Sequence, residues 1–173
     1  MPVRKLKAYL DEANIRYLTI GHSSAYTSQE IAALAHVSGK EFAKTVMIKI
    51  DGELAMAVLP ASSQIDFESI KKIFETRDVS LATEAEFKDR FPDCEVGAMP
   101  PFGNLYGMSV YVADSLAEHK EIAFSAGSHT EVIILDYKDY RRIVKPRVFK
   151  FLWKTKSFPN DPMERWLEDY RGN

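Results

Sequence analysis

The stretch EFAKTVMIKIDGELAMAV, residues 41–58, decides the fold because it places a turn signal between two apolar runs. Asp51-Gly52 is typical of a two-residue hairpin turn, since a type I′ turn needs positive φ at both central positions. The flanking runs TVMIKI and ELAMAVL are rich in the β-branched and apolar residues that favour strands. The sequence therefore predicts a β-hairpin of two antiparallel strands.

Lys44 lies on the apolar face of this predicted hairpin. Side chains alternate between the two faces of a strand, so Lys44 shares its face with Val46 and Ile48, whereas Lys49 lies on the other face. Two interpretations of Lys44 stay open. Its head can reach water at the strand end while its stem covers apolar surface. Alternatively, the ammonium lies in a pocket and meets an anionic or carbonyl group, and desolvation would then lower its pKa.

Length and composition indicate one globular domain with a short appendage. The chain has 173 residues, of which 46% are hydrophobic and 28% charged, and its net charge of −2 does not by itself indicate nucleic-acid binding. A single cysteine, Cys94, cannot form an internal disulfide and is typical of a reducing compartment. No apolar run is long enough to span a bilayer, and the start lacks an apolar signal core. We therefore expect a cytoplasmic protein without membrane association.

Helix and strand signals mingle along the chain without strict alternation. After an amphipathic first helix, further helices are expected at residues 28–37, 67–75, 84–91 and 137–144, each preceded by a capping residue: Thr27, Asp66, Thr83 and Asp136. Further strands are expected at residues 16–20, 108–113, 121–126 and 131–136. The predicted fold class is α/β, with a mixed, largely antiparallel β-sheet surrounded by helices.

The sequence lacks several common signatures of catalysis. It has no C-x-x-C or H-E-x-x-H zinc motif, no Walker A or dinucleotide glycine motif, and no G-x-S-x-G nucleophile elbow. Cys94 lies between Asp93 and Glu95, whose charges hinder thiolate formation, so we expect an inert thiol. We expect neither a cofactor nor a bound metal.

Two loops are candidates for a binding site. The loop Gly97–Gly103, GAMPPFG, has glycines at both ends and prolines between, so it is stiff and can aim N–H groups at a carbonyl oxygen. It is equally interpretable as a rigid structural connection. His129, between two predicted strands, and His22, before a capped helix, are each either turn residues or groups that face a pocket.

The segment from residue 138 onward is rich in basic and aromatic residues. Candidate phosphate-contacting residues are Arg141, Arg142, Lys145, Arg147 and Lys150, interleaved with aromatic residues that include Phe149 and Phe151. The alternative is a solvated helix face followed by a tail whose aromatic residues pack on the domain. We divide the chain into a domain over residues 1–146 and a basic-aromatic C-terminal extension over residues 147–173.

Three stretches together resemble the YbaK/EbsC family, which includes the editing domain of bacterial prolyl-tRNA synthetases. They are GHSSAYTSQEIAALAHVSGKEFAKTVMIKIDG at 21–52, LATEAEFKDRFPDCEVGAMPPFGNLYG at 81–107 and FSAGSHTEVIILDYKDYRRIV at 124–144. The likeness runs from about Leu18 to about Val144, with the motifs in the same order. It implies the YbaK/prolyl-tRNA synthetase associated domain fold.

The resemblance also implies site residues. The lysine of the family's K-T strand motif, which is the residue most closely tied to activity, falls on Lys44. The family's G-x-x-x-P-x-G loop, which lines the aminoacyl pocket, is matched by Gly97, Pro101 and Gly103, with Pro100 inside it.

A G-x-H turn near the pocket in some branches of the family is matched by Gly127 and His129. Other branches lack the histidine. We include His22 among the candidate substrate-binding residues.

The resemblance implies a free-standing aminoacyl-tRNA deacylase that hydrolyses the ester of a mischarged tRNA in trans, with an aminoacyl-tRNA synthetase as a candidate partner. Lys44 and loop N–H groups would stabilise negative charge on the carbonyl oxygen, and the absence of an obvious general base favours assistance from the substrate. One alternative is a non-catalytic module that keeps the pocket for a small metabolite or aminoacyl group. Another makes Lys44 a Schiff-base nucleophile.

Overall fold

The computed structural model describes residues 2–23, 25 and 27–153, and residues 154–173 of the predicted extension lie outside the described residues. The α-helices are α1 (Pro2–Glu12), α2 (Ser28–Leu34), α3 (Phe67–Ile73), α4 (Glu84–Phe87), α5 (Asp114–Ala117) and α6 (Tyr137–Val144). The strands are β1 (Tyr17–Gly21), β2 (Phe42–Ile50), β3 (Glu53–Pro60), β4 (Val79–Leu81), β5 (Ser109–Ala113), β6 (Glu121–Ser125), β7 (Glu131–Asp136) and β8 (Arg147–Phe149).

The strands form one sheet, which confirms the predicted fold class. Its order is β1-β7-β6-β2-β3-β5-β8, and β4 also pairs with β2. The pairs β1–β7, β6–β7, β2–β3 and β2–β4 are antiparallel, whereas β2–β6, β3–β5 and β5–β8 are parallel. The sheet is therefore mixed and mostly antiparallel, as expected.

The hairpin of β2 and β3 has the predicted turn and register. Asp51 and Gly52 both have positive φ, 52° and 83°, as a type I′ turn requires. Lys44 pairs with Leu59 and Val46 with Ala57, so the face that carries Lys44 is otherwise apolar.

Strand β2 has one fully paired edge and one divided edge. Along the first edge it pairs with β3 from Ala43 to Ile50. On the other edge the ladder with β6 ends at Ala43, and the contact with β4 begins where the Ala82 N–H donates to the Met47 carbonyl at 3.0 Å. We call the stretch of this edge between them, residues 44–46, the sheet gap.

The two faces of the sheet are covered by different helices. Residues of β2 such as Ala43 and Met47 belong to a core with α1, α6 and the loop before β5. On the opposite face, Phe42 packs with α2, and Ile48 packs with α3. Lys44 lies between Phe42 and Ile48 on this second face, because alternate residues of a strand share a face.

Residues 147–153 continue the sheet and the core of the main body. Strand β8 pairs with β5, and the side chain of Phe151 is 1% exposed. The Asp66 N–H donates to the Phe151 carbonyl at 2.7 Å, and the Trp153 N–H donates to the Gln64 carbonyl at 3.0 Å. The domain boundary expected after residue 146 stays a prediction, and within the described residues Phe151 contributes to the core of the main body.

No helix formed by the described residues has the length and apolar character needed to cross a bilayer.

Replacement of Phe151 by alanine tests whether residues 147–153 are integral to the domain. We expect Phe151→Ala to lower the free energy of unfolding by about 3–5 kcal/mol, because it empties a fully buried aromatic site. Trp153→Ala is the matched control, since that side chain is 43% exposed, and its effect should be much smaller. Denaturant unfolding of both variants measures the difference. Equal, small losses would make the segment a peripheral appendage.

Candidate active site

Lys44 is a half-buried lysine whose partner is a backbone carbonyl. Its Nζ donates to the Ala61 carbonyl oxygen at 3.4 Å. Burial lowers the pKa of Lys44, and no carboxylate offsets this effect among the described residues. Lys49, on the other face of the same strand, instead donates to Glu86 Oε1 at 2.6 Å, and this hydrogen bond raises its pKa. The two lysines of β2 therefore differ as the alternation of faces predicts: desolvation dominates the pKa of Lys44, whereas the hydrogen bond to Glu86 dominates that of Lys49.

The head of Lys44 is positioned by the end of the hairpin and by α2. The Ala61 N–H donates to the Phe42 carbonyl at 2.8 Å, which extends the β2–β3 pairing by one residue. The Ala61 carbonyl then accepts from Lys44 Nζ and also from Gln29 Nε2 of α2 at 3.4 Å. Lys44 Nζ is thus held at the end of the hairpin, close to α2.

The predicted glycine loop and the G-x-H turn form one hydrogen-bonded unit. The Glu95 N–H donates to the Gly127 carbonyl and the Gly127 N–H donates to the Ala98 carbonyl, both at 2.9 Å. The Glu95 carboxylate accepts from the His129 N–H at 2.7 Å. Gly97 lies within this unit with φ of +83°, a conformation that favours glycine. The structure thus brings Gly97, Gly127 and His129 together, and Glu95, which sequence reasoning missed as a site residue, joins them.

Both candidate histidines support the backbone of this region. His129 Nε2 donates to the Val96 carbonyl at 2.8 Å, since a carbonyl can only accept. The His22 N–H donates to the Thr130 carbonyl at 2.9 Å, and its Nδ1 donates to the Ser23 carbonyl at 2.7 Å. The bond to Thr130 ties His22 to the turn that contains His129, and the ring of His129 ties this turn to the loop at Val96.

The second half of the glycine-proline loop is a packing element. Pro100, Pro101 and Gly103 are buried, and the Pro101 carbonyl accepts from the buried Tyr140 hydroxyl at 2.7 Å. A Cβ on Gly103 would lie 2.7 Å from Val110 Cγ2, so the absence of a side chain there permits close packing. The open backbone predicted at both ends of the loop is therefore found only at Gly97, which is exposed.

Strand β6 connects this unit to Lys44. Because β2 and β6 run parallel, with Ala43 opposite Phe124, both strands enter the sheet gap in the same direction. Ser125 is the last residue of β6, and Gly127 follows two residues later. The glycine loop and its attached turn therefore lie at the end of β6, beside the sheet gap that contains Lys44.

Ser125 is a site candidate that sequence reasoning missed. It is 7% exposed and is the buried polar residue of the described core. The signal available in the sequence was one serine at the end of the otherwise apolar run IAFS.

The basic residues expected to contact tRNA are divided between two elements. Arg141 and Arg142 are exposed on α6, and Arg142 forms an ion pair with Asp139 at 3.6 Å. This helix packs on the sheet face opposite to Lys44. Lys145, Arg147 and Lys150 are exposed on and around β8, which lies three strand spacings, roughly 14 Å, from β2.

A family model described as "aminoacyl-tRNA editing domain" matches residues 22–143 of the chain. This range contains Lys44, the glycine loop and the turn with His129. It ends within α6, before β8.

Curated and solved relatives resemble most of the chain. The multifunctional Ser/Thr-tRNA deacylase ProXp-y of Escherichia coli (strain K12) is 28% identical over 154 residues, which cover 86% of this chain and 91% of that protein. A hypothetical protein of solved structure gives a TM-score of 0.77 at 19% identity, covering 86% of this chain and 99% of its own. A protein described as a trans-editing enzyme for prolyl-tRNA synthetase gives 0.75 at 13% identity, with 88% and 98% coverage. At these identities the two solved structures show a shared fold.

Replacement of Lys44 by methionine tests whether its burial is costly. We expect Lys44→Met to leave the melting temperature at pH 7 unchanged or to raise it by about 2–4 °C, because an apolar side chain avoids the desolvation of an ammonium. The cost of Lys44 falls as pH rises through its lowered folded-state pKa, since the unfolded state then binds more protons. The difference in melting temperature between the variant and the wild type should therefore shrink toward alkaline pH.

Lys49→Met is the matched control on the same strand. It removes an exposed ion pair and should change the melting temperature little at any pH. Calorimetry between pH 7 and 10 measures both variants. A clear loss of stability in Lys44→Met at pH 7 would indicate that Lys44 serves the fold.

Proposed function

The chain belongs to the aminoacyl-tRNA editing domain family, and we propose on that basis that it is a free-standing aminoacyl-tRNA deacylase. It would hydrolyse the ester of a mischarged tRNA in trans. The observation that carries the proposal is the half-buried ammonium of Lys44, which no described carboxylate neutralises, beside the loop that contains Gly97. The match over 91% of the length of the E. coli deacylase supports it.

The arrangement suits the charge that develops during ester hydrolysis. Water adds to the acyl carbon, the carbonyl oxygen becomes negative, and the bond to the ribose oxygen then breaks as that oxygen takes a proton. A protonated Lys44 would stabilise the negative oxygen more than the neutral ester, as would the accessible backbone of Gly97. The N–H groups of Ala98 and Gly127 already bond within the loop unit. Gly97 is therefore the loop residue that we assign to contact with substrate.

The proton transfers are assigned to the substrate itself. His129 and His22 each donate a ring N–H to a backbone carbonyl. In this proposal the two histidines are therefore positioning residues. A ribose hydroxyl or the α-amino group of the substrate can activate the attacking water. The alternative role of Lys44 is contact with the terminal phosphate, which would orient the ester.

We assign tRNA binding to the basic residues around β8. Lys145, Arg147 and Lys150 are exposed, and their distance from β2 suits contact with phosphates upstream of the ester. The Arg147 guanidinium lies 5.0 Å from the Phe149 ring centroid, and this stacking orders it at the sheet edge. An aminoacyl-tRNA synthetase is a candidate partner that would present the mischarged tRNA.

Deacylation of a panel of mischarged tRNAs tests the proposed activity. We expect one or more species to be hydrolysed, and Lys44→Ala to lower kcat/KM roughly 10²–10³-fold, as expected for loss of a group that stabilises the oxyanion. Lys49→Ala, on the opposite face of β2, should retain activity within about twofold. Absence of turnover on every species, with folded wild-type protein, would favour a binding module instead.

The salt dependence of tRNA affinity tests the assignment of phosphate contacts. Arg147→Gln with Lys150→Gln should weaken binding and reduce the slope of log K against log salt concentration by about 0.7–0.9 for each phosphate that the variant no longer neutralises. The comparison is Arg141→Gln with Arg142→Gln on α6, for which we expect the smaller change. A larger change of slope in the α6 variant would assign the tRNA-binding surface to that helix. Unchanged slopes in both variants would show that none of these residues contacts phosphates.

A further inference from the structure

The middle of strand β2 is accessible although the strand lies in the interior of the sheet. Lys44, Thr45 and Val46 are partly exposed, whereas Ala43 and Met47 on either side of them are 2% and 3% exposed. The three accessible residues are the ones that border the sheet gap. A ligand can therefore reach the edge of β2 between two buried positions.

The main chain of Thr45 offers one donor and one acceptor to the sheet gap. On this edge of β2 the Glu41 carbonyl accepts from the Ala123 N–H at 3.2 Å. The Met47 carbonyl accepts from the Ala82 N–H at 3.0 Å on the same edge. Alternate residues of a strand direct their peptide groups to the same edge, so both the N–H and the C=O of Thr45 point into the gap.

The neighbouring strands leave these two groups of Thr45 unused. The ladder between β2 and β6 ends with Ala43 opposite Phe124. The next bond of this parallel ladder would join the Thr45 N–H to the Ser125 carbonyl, and the ladder stops before it. On the other side of the gap, the contact with β4 begins at the Met47 carbonyl. Among the described residues, none therefore bonds the main chain of Thr45 on this edge, and a ligand with complementary groups can do so.

The sheet gap has room for one extended residue. The four residue steps from Ala43 to Met47 span roughly 13 Å along the strand. A further strand of the usual five or six residues needs about 17–20 Å, so it does not fit between β6 and β4. An aminoacyl group is a single residue that carries an amine and a carbonyl on one carbon atom. These are the groups through which two opposite residues of an antiparallel ladder exchange both of their hydrogen bonds.

We propose that Thr45 binds the aminoacyl group of the substrate as a single antiparallel residue, with its N–H donating to the ester carbonyl and its C=O accepting from the α-ammonium group. The inference rests on the proposed deacylase function and adds a main-chain contact to that site. In this direction the ester lies toward Lys44 and the α-ammonium toward Met47, so the two ammonium groups are kept apart. The Thr45 N–H would then also stabilise the negative oxygen that forms during hydrolysis.

The first test measures recognition of the α-ammonium group in the wild-type protein. Its probes are non-hydrolysable amide-linked alanyl- and propionyl-adenosine, which differ by this one group. The alanyl analogue should bind roughly 10- to 100-fold more tightly, because its ammonium donates a charge-assisted hydrogen bond to the Thr45 carbonyl. Equal affinity for the two analogues, or no measurable binding of either, would overturn the inference.

The second test replaces single peptide bonds of β2 by ester bonds, which keeps every side chain. An ester between Lys44 and Thr45 removes the Thr45 N–H. It should lower single-turnover hydrolysis of the preferred mischarged tRNA roughly 10²–10³-fold and weaken both analogues alike. An ester between Thr45 and Val46 makes the Thr45 carbonyl a weaker acceptor and should reduce the preference for the alanyl analogue. The matched control is an ester between Val46 and Met47, which removes an N–H of the same edge nearer to β4 and should change neither quantity more than about threefold.

Two results with these variants would overturn the assignment. A loss in the control as large as that in the Lys44–Thr45 ester would place the aminoacyl group in a different register. An alanyl preference that the Thr45–Val46 ester leaves unchanged would show that another acceptor holds the ammonium. Melting temperatures of the three variants exclude misfolding as the cause. If the wild type hydrolyses no mischarged tRNA, the proposed function fails, whereas the affinities for the two analogues still decide the role of Thr45.

Discussion

The pairing of β2 with three other strands is the constraint on which the rest of the structure depends. One edge is used throughout by β3, and the other is shared between β6 and β4, which approach it from opposite ends. The Glu41 and Met47 carbonyls accept from Ala123 and Ala82 on this divided edge. Alternate peptide groups point to the same edge, so the backbone of Thr45 faces the sheet gap, where the described residues place no strand. A central strand, which is usually fully paired, thereby offers open backbone next to Lys44.

The loops around the gap are fixed by bonds to one another more than by regular secondary structure. Glu95 bonds the turn after β6 through its N–H and through its carboxylate. The N–H groups of His22 and Ala25 donate to the Thr130 and His129 carbonyls of the same turn. An exposed loop held at several points keeps its backbone groups in place without ligand, which lowers the ordering cost of binding. The buried prolines extend this rigidity into the core, where the Pro101 carbonyl meets Tyr140.

Local signals in the sequence predicted most helices, the hairpin and the face of Lys44, because caps, turns and alternation act over a few residues. They did not predict β4 or β8, each three residues long, because such short strands exist only through pairing with distant β2 and β5. The predicted α2 extended to residue 37 and the helix ends at Leu34.

The half-buried ammonium of Lys44, which bonds a backbone carbonyl and no described carboxylate, sets the character of the sheet gap. A site that neutralised Lys44 with a carboxylate would be more stable, but its ammonium would then be less available to a substrate. Hydrogen bonds that a correct ligand completes discriminate strongly, because an incorrect ligand leaves the same buried groups unpaired. The desolvated ammonium of Lys44 is thus a group whose interaction a negatively charged part of the substrate would complete.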